Sequence, residues 1–352
     1  MHADLYDRYP PEQLIRLSDP SVGLDGVIIL HSTRLGPAAG GCRFWRYDSI
    51  EQASTDAIRL AEGMTYKNAL AGLPLGGGKA VIRMPTGPFD REALFRTFGR
   101  AIDRLQGAYV TAEDVGTSIS DMATIALATR HVAGLPLHDD RPSGDPSPWT
   151  ALGVFLSMRR AAKRVLGADL HELTVAVQGL GNVGFALCER LHSAGATLIV
   201  AEPRAALASR AAIQFGASIV DPAEIIEARA DIFAPCALGG VINSAAIERL
   251  NAKIVCGGAN NQLHLPIHGT ELADRGIVYA PDYVVNAGGI INVAAEYLGW
   301  TMSDVHARVE EIAARLDQVL DLAKLARIPP SVAADRLAQS LVTARSQKRS
   351  AA

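Results

Sequence analysis

Two lysines and an aspartate stand where a ligand could reach them. Lys79 closes the run Gly76-Gly-Gly-Lys79, Lys67 lies in Gly63-Met-Thr-Tyr-Lys67-Asn68, and Asp114 sits in Thr111-Ala-Glu-Asp114-Val-Gly116. The Gly76–Lys79 run invites comparison with a phosphate-binding loop, which needs a glycine six residues before its lysine and Ser or Thr directly after it. Those positions hold Leu73 and Ala80, so Walker-type phosphoryl transfer is set aside. What remains is a lysine on a glycine-rich turn beside a strand, where backbone can press close to a ligand. Buried there, it serves as an acid or base. Lys67, near the end of an amphipathic helix, can offer a fixed positive charge, and Asp114 follows a strand at a cleft-edge position. Taken singly, each reads as a solvated surface charge. Taken together beside a dinucleotide site, they point to proton and hydride transfer on a small anionic substrate.

That dinucleotide site is the most explicit motif of the chain. Leu173–Gln178 reads as a strand running into Gly179-Leu180-Gly181-Asn182-Val183-Gly184, and a helix follows. In that context Gly179 makes the tight turn, Gly181 admits a pyrophosphate against the backbone, and Gly184 lets helix and strand pack closely. The helix N-terminus adds free N–H groups and partial positive charge. Glu202 ends the next strand, Thr197–Ala201, where a carboxylate accepts from ribose hydroxyls and repels a 2′-phosphate, favouring NAD over NADP. Arg204 tempers that preference, because an arginine there can serve a phosphate.

The elements that must hold these residues follow from pattern. Apolar residues at Ala53, Ala57, Ile58, Leu60, Ala61 and Met64 predict a helix from Ile50 to about Asn68. Strands are expected at 27–31, 80–83 and 108–111, and helices at 91–105 and 118–133. Three prolines and a glycine within 138–148 mark a break. Beyond it strands and helices alternate, with further strands at 232–234 and 253–256, the signature of a doubly wound parallel sheet. A helical pattern over 304–325 stops at Pro329-Pro330, and Ser346–Ala352 reads as a frayed tail. The expected fold is α/β: a substrate-binding and oligomerisation domain over 1–138, a Rossmann-type NAD-binding domain over 149–290, and C-terminal helices over 291–345 returning towards the first domain, with the active-site cleft between the domains. A chain of 352 residues accommodates two domains. Its composition is globular, 49% hydrophobic and 20% charged, and its net charge of −3 provides no basic field for nucleic acid or membrane. The N-terminal residues Met1–Arg8 lack the pattern of a signal peptide, and four scattered cysteines read as reduced, buried thiols, so a cytoplasmic location is expected.

The motifs resemble those of the amino-acid dehydrogenases acting on glutamate, leucine, phenylalanine and valine. The resemblance rests on Gly36-Pro-Ala-Ala-Gly40-Gly41-Cys-Arg43, on the three segments around Lys67, Lys79 and Asp114, and on Ala234–Gly240, Gly258–Leu263 and Pro281–Gly289. These motifs fall in the family's order across roughly residues 15 to 340. The resemblance implies reversible NAD-dependent oxidative deamination of an L-amino acid to a 2-oxo acid and ammonia. Lys67 and Asn261 would then hold the substrate carboxylate, with the Gly40 and Gly41 backbone lining that site. Lys79 would be the general acid/base, Asp114 would bind the amino group, and Thr150 and Asn286 would orient the nicotinamide. Residues 139–148 and the Gly288-Gly289 segment would act as a hinge, and the protein would be a homo-oligomer, dimer or octamer, built through the first domain.

The same match places Ala39, Ala112, Ile290 and Val293 around the substrate side chain. Glutamate-specific relatives carry a lysine and a hydroxyl where this chain has Ala39 and Val293, so a side-chain carboxylate would be buried unpaired and glutamate is disfavoured. Ala39 leaves room for an aromatic side chain and Ile290 narrows the opposite wall, so leucine or valine, phenylalanine, and another residue such as tryptophan stay open. Trp149 departs from the family's pattern and is read as packing beside Thr150. His264 and His268 could be a metal pair by spacing, but Pro266 between them and the lack of a third ligand favour a loop, and no metal is expected. The reading from another functional class is a silent sensor of NAD and amino acid. Four intact residues speak against it: Lys67, Lys79, Asp114 and Asn261.

Overall fold

The computed structural model describes residues 10–136, 142 and 144–350, with side chains through 344. The N-terminal stretch, and residues 138–141 and 143 of the 138–148 break, lie outside the described residues. The chain divides into two compact units: Met1–Gly144 with Ile290–Val305 and Ala338–Ala352, and Asp145–Gly289 with His306–Leu337.

The first unit is built on a six-stranded mixed sheet. Its elements are β1 (Gln13–Asp19), β2 (Leu24–Ser32), β3 (Ala38–Ala39), β4 (Cys42–Trp45), α1 (Ile50–Leu70), β5 (Gly76–Arg83), α2 (Arg91–Asp103), β6 (Tyr109–Val110) and α3 (Ile119–Ala126). The sheet order is β1-β2-β5-β3-β6, with β4 also on β5. One face presents Ile28, Leu30, Ala80 and Ile82 to Leu94, Phe95, Phe98 and Ile102 of α2 and to Met122 and Ile125 of α3. The other presents Val27, Ile29 and Val81 to Ala53, Ala57 and Ala61 of α1. Alanine at every fourth position gives α1 a flat face, so it lies close on the sheet, and Ser49 caps it by accepting from the Gln52 N–H at 3.2 Å.

Gly76–Gly78, expected as a turn, lies inside β5. The reason is steric: a Cβ on Gly77 would stand 2.0 Å from the Thr65 hydroxyl and 2.1 Å from the Thr65 backbone nitrogen. Gly77 admits the helix, while a Cβ on Gly76 would meet the Ser32 carbonyl and one on Gly78 the Ile29 carbonyl and the Tyr109 ring. The helix expected over 118–133 is also shorter, because Thr111 and Val132 pair and the Ala133 N–H goes to the Thr111 carbonyl. Strands β1, β3 and β4 escaped the sequence pattern; two of them are only two to four residues long.

The second unit carries the parallel sheet. Its elements run α4 (Ser147–Val165), β7 (Thr174–Gln178), α5 (Asn182–Ser193), β8 (Thr197–Ala201), α6 (Ala205–Phe215), β9 (Ser218–Ile219), β10 (Ile232–Pro235), α7 (Ser244–Arg249), β11 (Ile254–Val255), α8 (Ile267–Asp274), β12 (Val278–Tyr279) and α9 (Asp282–Val285). The order β12-β11-β10-β7-β8-β9 is parallel throughout. The chain winds outward from β7 to β9 and returns beside β7 as β10, so the topological switch lies between β7 and β10, where such sheets bind ligands. The remaining helices are α10 (Gly288–Leu298), α11 (Met302–Ala326) and α12 (Pro330–Ser350). The helix expected over 304–325 is α11 and ends at Ala326, before Pro329-Pro330; Pro330 also opens α12, at a position where its missing N–H costs nothing. The backbone stays helical to Ser350, where a frayed tail was expected from Ser346.

If β5 needs glycine at its contact with α1, Gly77→Ala will destabilise the protein by about 3 kcal/mol. Gly63→Ala, at a helical position with nothing within 4 Å of the added carbon, will stabilise it by about 0.5–1 kcal/mol. Chemical denaturation of both variants checks this, and equal midpoints would refute the packing account.

Candidate active site

Three parallel neighbours bring the first set of site residues together. Ala39 in β3 stands opposite Gly77 of β5 and Val110 of β6, Cys42 of β4 stands opposite Ala80, and Cys42 also bridges to Glu113. The segment 39–42 is therefore flanked on one side by 77–80 and on the other by 110–113. Gly40 and Gly41 fit nothing larger: a Cβ on Gly40 would meet the Gly78 carbonyl at 1.9 Å, and one on Gly41 the Glu113 carbonyl at 2.6 Å. The Tyr109 hydroxyl donates to the Gly40 carbonyl at 2.6 Å and fixes the segment.

Lys79 is 5% exposed, and its Nζ lies 2.8 Å from Oδ2 of Asp114. Arg43, on β4, donates from Nε to the same oxygen at 3.2 Å. Burial alone would raise the Asp114 carboxyl; Lys79 and then Arg43 outweigh it and hold the group below its ordinary value. The Asp114 N–H is taken by the Thr117 hydroxyl at 2.9 Å, which anchors the loop. A buried lysine amine beside an ionised carboxylate suits a site that must move a proton and hold an amine. Lys67 lies in the last turn of α1, half-buried. Ile290 and Val293 stand one turn apart and half-buried on α10, Ala39 is buried, and Ala112 is half-buried. Nearby on α10, Glu296 accepts from the Gly134 and Leu135 N–H groups at 2.9 and 3.0 Å, tying that helix to the segment after β6.

The second set is the glycine turn after β7. Gly179 has φ +93°, a conformation open to glycine, and a Cβ there would meet that of Ala237 at 2.7 Å across the switch point. A Cβ on Gly184 would stand 2.0 Å from the Gly179 carbonyl, whereas Gly181 has open space around it. Those are the tight turn, the close helix and the clear approach that a pyrophosphate needs. Leu180 is buried, Asn182 is exposed and donates to Asp145 at 3.1 Å, and Val183 packs towards Gly258. A cavity of about 320 Å³ opens here, lined among others by Gly181, Asn182, Arg204 and Arg210.

Glu202 directly follows β8, with both oxygens engaged. Oε2 accepts from the Leu180 N–H at 2.8 Å, and Oε1 accepts from the Arg204 backbone N–H and Nε at 3.1 and 2.6 Å. Arg204 foremost, with these N–H groups, takes its carboxyl from 4.5 down to about 2. Asn286 is buried; its Nδ2 donates to Asn260 at 2.8 Å, and its Oδ1 finds no donor among the described residues. An unmatched buried acceptor of this kind fits the carboxamide of a nicotinamide. Thr150 is in the first turn of α4 and donates to the Pro146 carbonyl at 3.2 Å. Beside it Trp149 packs edge-on against His306, with centroids 6.1 Å apart.

Asn261 takes φ +52°, accessible to asparagine, and its N–H donates to Asp282, which also accepts from the Tyr279 hydroxyl at 2.7 Å. The supporting roles of Asp282, Arg43 and Thr117 were not read from sequence, although all three lie within or beside quoted motifs. His268 is buried and its Nδ1 accepts from the Leu265 N–H at 2.9 Å. Among the described residues no group of three potential metal ligands forms, and no helix is long and apolar enough to cross a membrane.

A dinucleotide turn on a parallel sheet, together with a buried lysine–carboxylate pair, defines a pyridine-nucleotide dehydrogenase. Residues 11–131 match the dimerisation domain of the Glu/Leu/Phe/Val dehydrogenases, and residues 145–214 and 200–349 match the Glutamate/Leucine/Phenylalanine/Valine dehydrogenase domain. The chain is 48% identical over 345 residues to leucine dehydrogenase of Geobacillus stearothermophilus, covering 98% of this chain and 94% of the relative. It is 44% identical to valine dehydrogenase of Streptomyces coelicolor over 333 residues, covering 93% and 91%. The crystal structure of L-tryptophan dehydrogenase from Nostoc punctiforme superposes with TM-score 0.87 at 39% identity, covering 96% of this chain and 98% of that one. The chain belongs to the Glu/Leu/Phe/Val dehydrogenase family and is an amino-acid dehydrogenase, an enzyme class served by a nicotinamide cofactor.

Because Glu202 ionises more readily folded than unfolded, its contribution to stability is complete above pH 4.5 and disappears as pH falls through about 2. Glu202→Gln will flatten that part of the acid-unfolding profile. A profile unchanged between pH 4.5 and 2 would contradict the assignment.

Proposed function

We propose that the protein catalyses reversible NAD-dependent oxidative deamination of an apolar L-amino acid, leucine or valine, or an aromatic one such as phenylalanine. The observation that carries this reading is the buried Lys79 Nζ at 2.8 Å from the Asp114 carboxylate. The nicotinamide, when bound, would supply the hydride acceptor for oxidation of the substrate amine to an imine. Asp114 binds the substrate amino group. Lys79 takes a proton from the water that adds to the imine carbon and passes it to the nitrogen; as the C–N bond breaks, the new hydroxyl gives its remaining proton to Lys79, releasing ammonia and the 2-oxo acid. Lys67 and Asn261 take the substrate carboxylate, alongside the Gly40 and Gly41 backbone. Gly179–Gly184 would hold the pyrophosphate, Glu202 with Arg204 beside it would hold the adenosine ribose, and Thr150 and Asn286 would hold the nicotinamide.

Ala39, Ala112, Ile290 and Val293 supply the side-chain wall, and none of them can pair with a carboxylate. Burying the glutamate side chain against them would cost on the order of several kcal/mol. One methylene changes discrimination by only about 1–3 kcal/mol, so several apolar substrates will be used. The match of residues 11–131 to a dimerisation domain supports a homo-oligomer built through the first unit. Four thiols without disulfides support a reducing, cytoplasmic setting.

NADH formation from Leu, Val, Ile, Phe, Trp and Glu, repeated with NADP, tests the reading. Turnover on apolar substrates, none on Glu, and preference for NAD are expected. Lys79→Ala will lose about 10²–10⁴-fold in kcat while NADH fluorescence still reports binding. Wild-type silence across the panel with NADH bound would favour a sensor instead.

A further inference from the structure

Arg43 bridges two carboxylates, one of them Asp114. Its Nε reaches Asp114 Oδ2 at 3.2 Å and its Nη1 reaches Asp56 Oδ2 at 2.9 Å. Asp56, on α1, also accepts from the Tyr47 hydroxyl at 2.6 Å and from Arg59 at 3.0 Å. The guanidinium is about four-fifths buried, as are both carboxylates. Burial opposes its charge, but Asp114 and Asp56 prevail and raise it above its ordinary value. Asp56 is held low despite burial, by the Tyr47 hydroxyl and the two arginines. Asp114 thus shares one oxygen between Lys79 and a cation that is braced from behind.

We propose that Arg43 is a positioning residue for the deamination chemistry: braced by Asp56, it holds the Asp114 carboxylate in place and draws off part of its negative charge from Lys79. This rests on the roles given to Lys79 and Asp114 above. The charged and titratable groups around Asp114 are Lys79 on β5, Arg43 on β4, and Asp56 with Arg59 on α1. Tyr47, Cys42, the exposed Glu113, Asp121 with its partner Arg91, and Tyr109, whose hydroxyl burial holds far up, stand around them. Burial pushes the Tyr47 hydroxyl to about 12 and the Cys42 thiol far up, so neither titrates in the working range. Without the charge at position 43, Asp114 acts undiluted on Lys79, and the coupled pair keeps its proton to higher pH.

The test is the pH dependence of kcat/KM for deamination. In R43M the acid limb will move up by roughly one pH unit, so activity well below the limb falls about tenfold. R43K keeps the charge but not the two-pronged reach; its limb will stay near the wild-type position while kcat falls. D56N leaves Arg43 more fully committed to Asp114, so its limb will move in the opposite direction, to lower pH. A residue that merely supports the fold cannot shift the limb in opposite directions. Uniformly lower activity with an unmoved limb in R43M and D56N would overturn the proposal, as would shifts of the same sign. If R43M fails to fold, D56N alone decides by its sign. Absence of wild-type turnover would count against the function and not against Arg43. The ¹³C signal of the Asp114 carboxyl would then decide, its midpoint rising in R43M if Arg43 acts as proposed and unchanged if it does not.

Discussion

Helix α1 can touch the backbone of β5 only because Gly77 has no side chain, and the first unit is arranged around that approach. Thr65 occupies the space a Cβ would take. With the helix seated there, its alanines at 53, 57 and 61 close over Val27, Ile29 and Val81. The same glycine run lets β3 lie against β5, with Ala38 and Ala39 opposite Gly76 and Gly77. Lys79, two residues further along, emerges beside Gly40 and Gly41 and is buried with its amine on Asp114. Asn68 bonds to the Gly76 carbonyl at 2.6 Å and completes the seam from the helix side.

Burying charges in such a seam is costly unless they are paired and hydrogen-bonded. The first unit meets this with a chain of alternating charges, Lys79, Asp114, Arg43, Asp56 and Arg59. The second unit solves a smaller version at Glu202, where two backbone N–H groups and Arg204 satisfy one carboxylate. In both places the carboxylate stays ionised because specific donors outweigh burial. The side-chain wall assigned to Ala39, Ala112, Ile290 and Val293 has no such chain of charges. That contrast is the physical basis for assigning an apolar substrate to a site whose chemistry is ionic.

The sequence by itself determined the parallel sheet, because strand–helix alternation and a G-x-G-x-x-G turn directly after a strand leave few topologies open. It also singled out Lys67, Lys79, Asp114, Asn261 and Glu202 as candidates for chemistry, through the resemblance of their segments to a known family. Strands β3 and β4 were not legible, since two to four residues carry no period and exist only through their neighbours. The glycine run before Lys79 was misread as a turn because the same residues serve a bend or a close approach, and only α1 in place tells them apart. The tertiary structure alone decided the partners of each charge. Arg43 and Asp114 are 71 residues apart in sequence, and no local pattern encodes a contact of that range; it follows from three strands lying side by side.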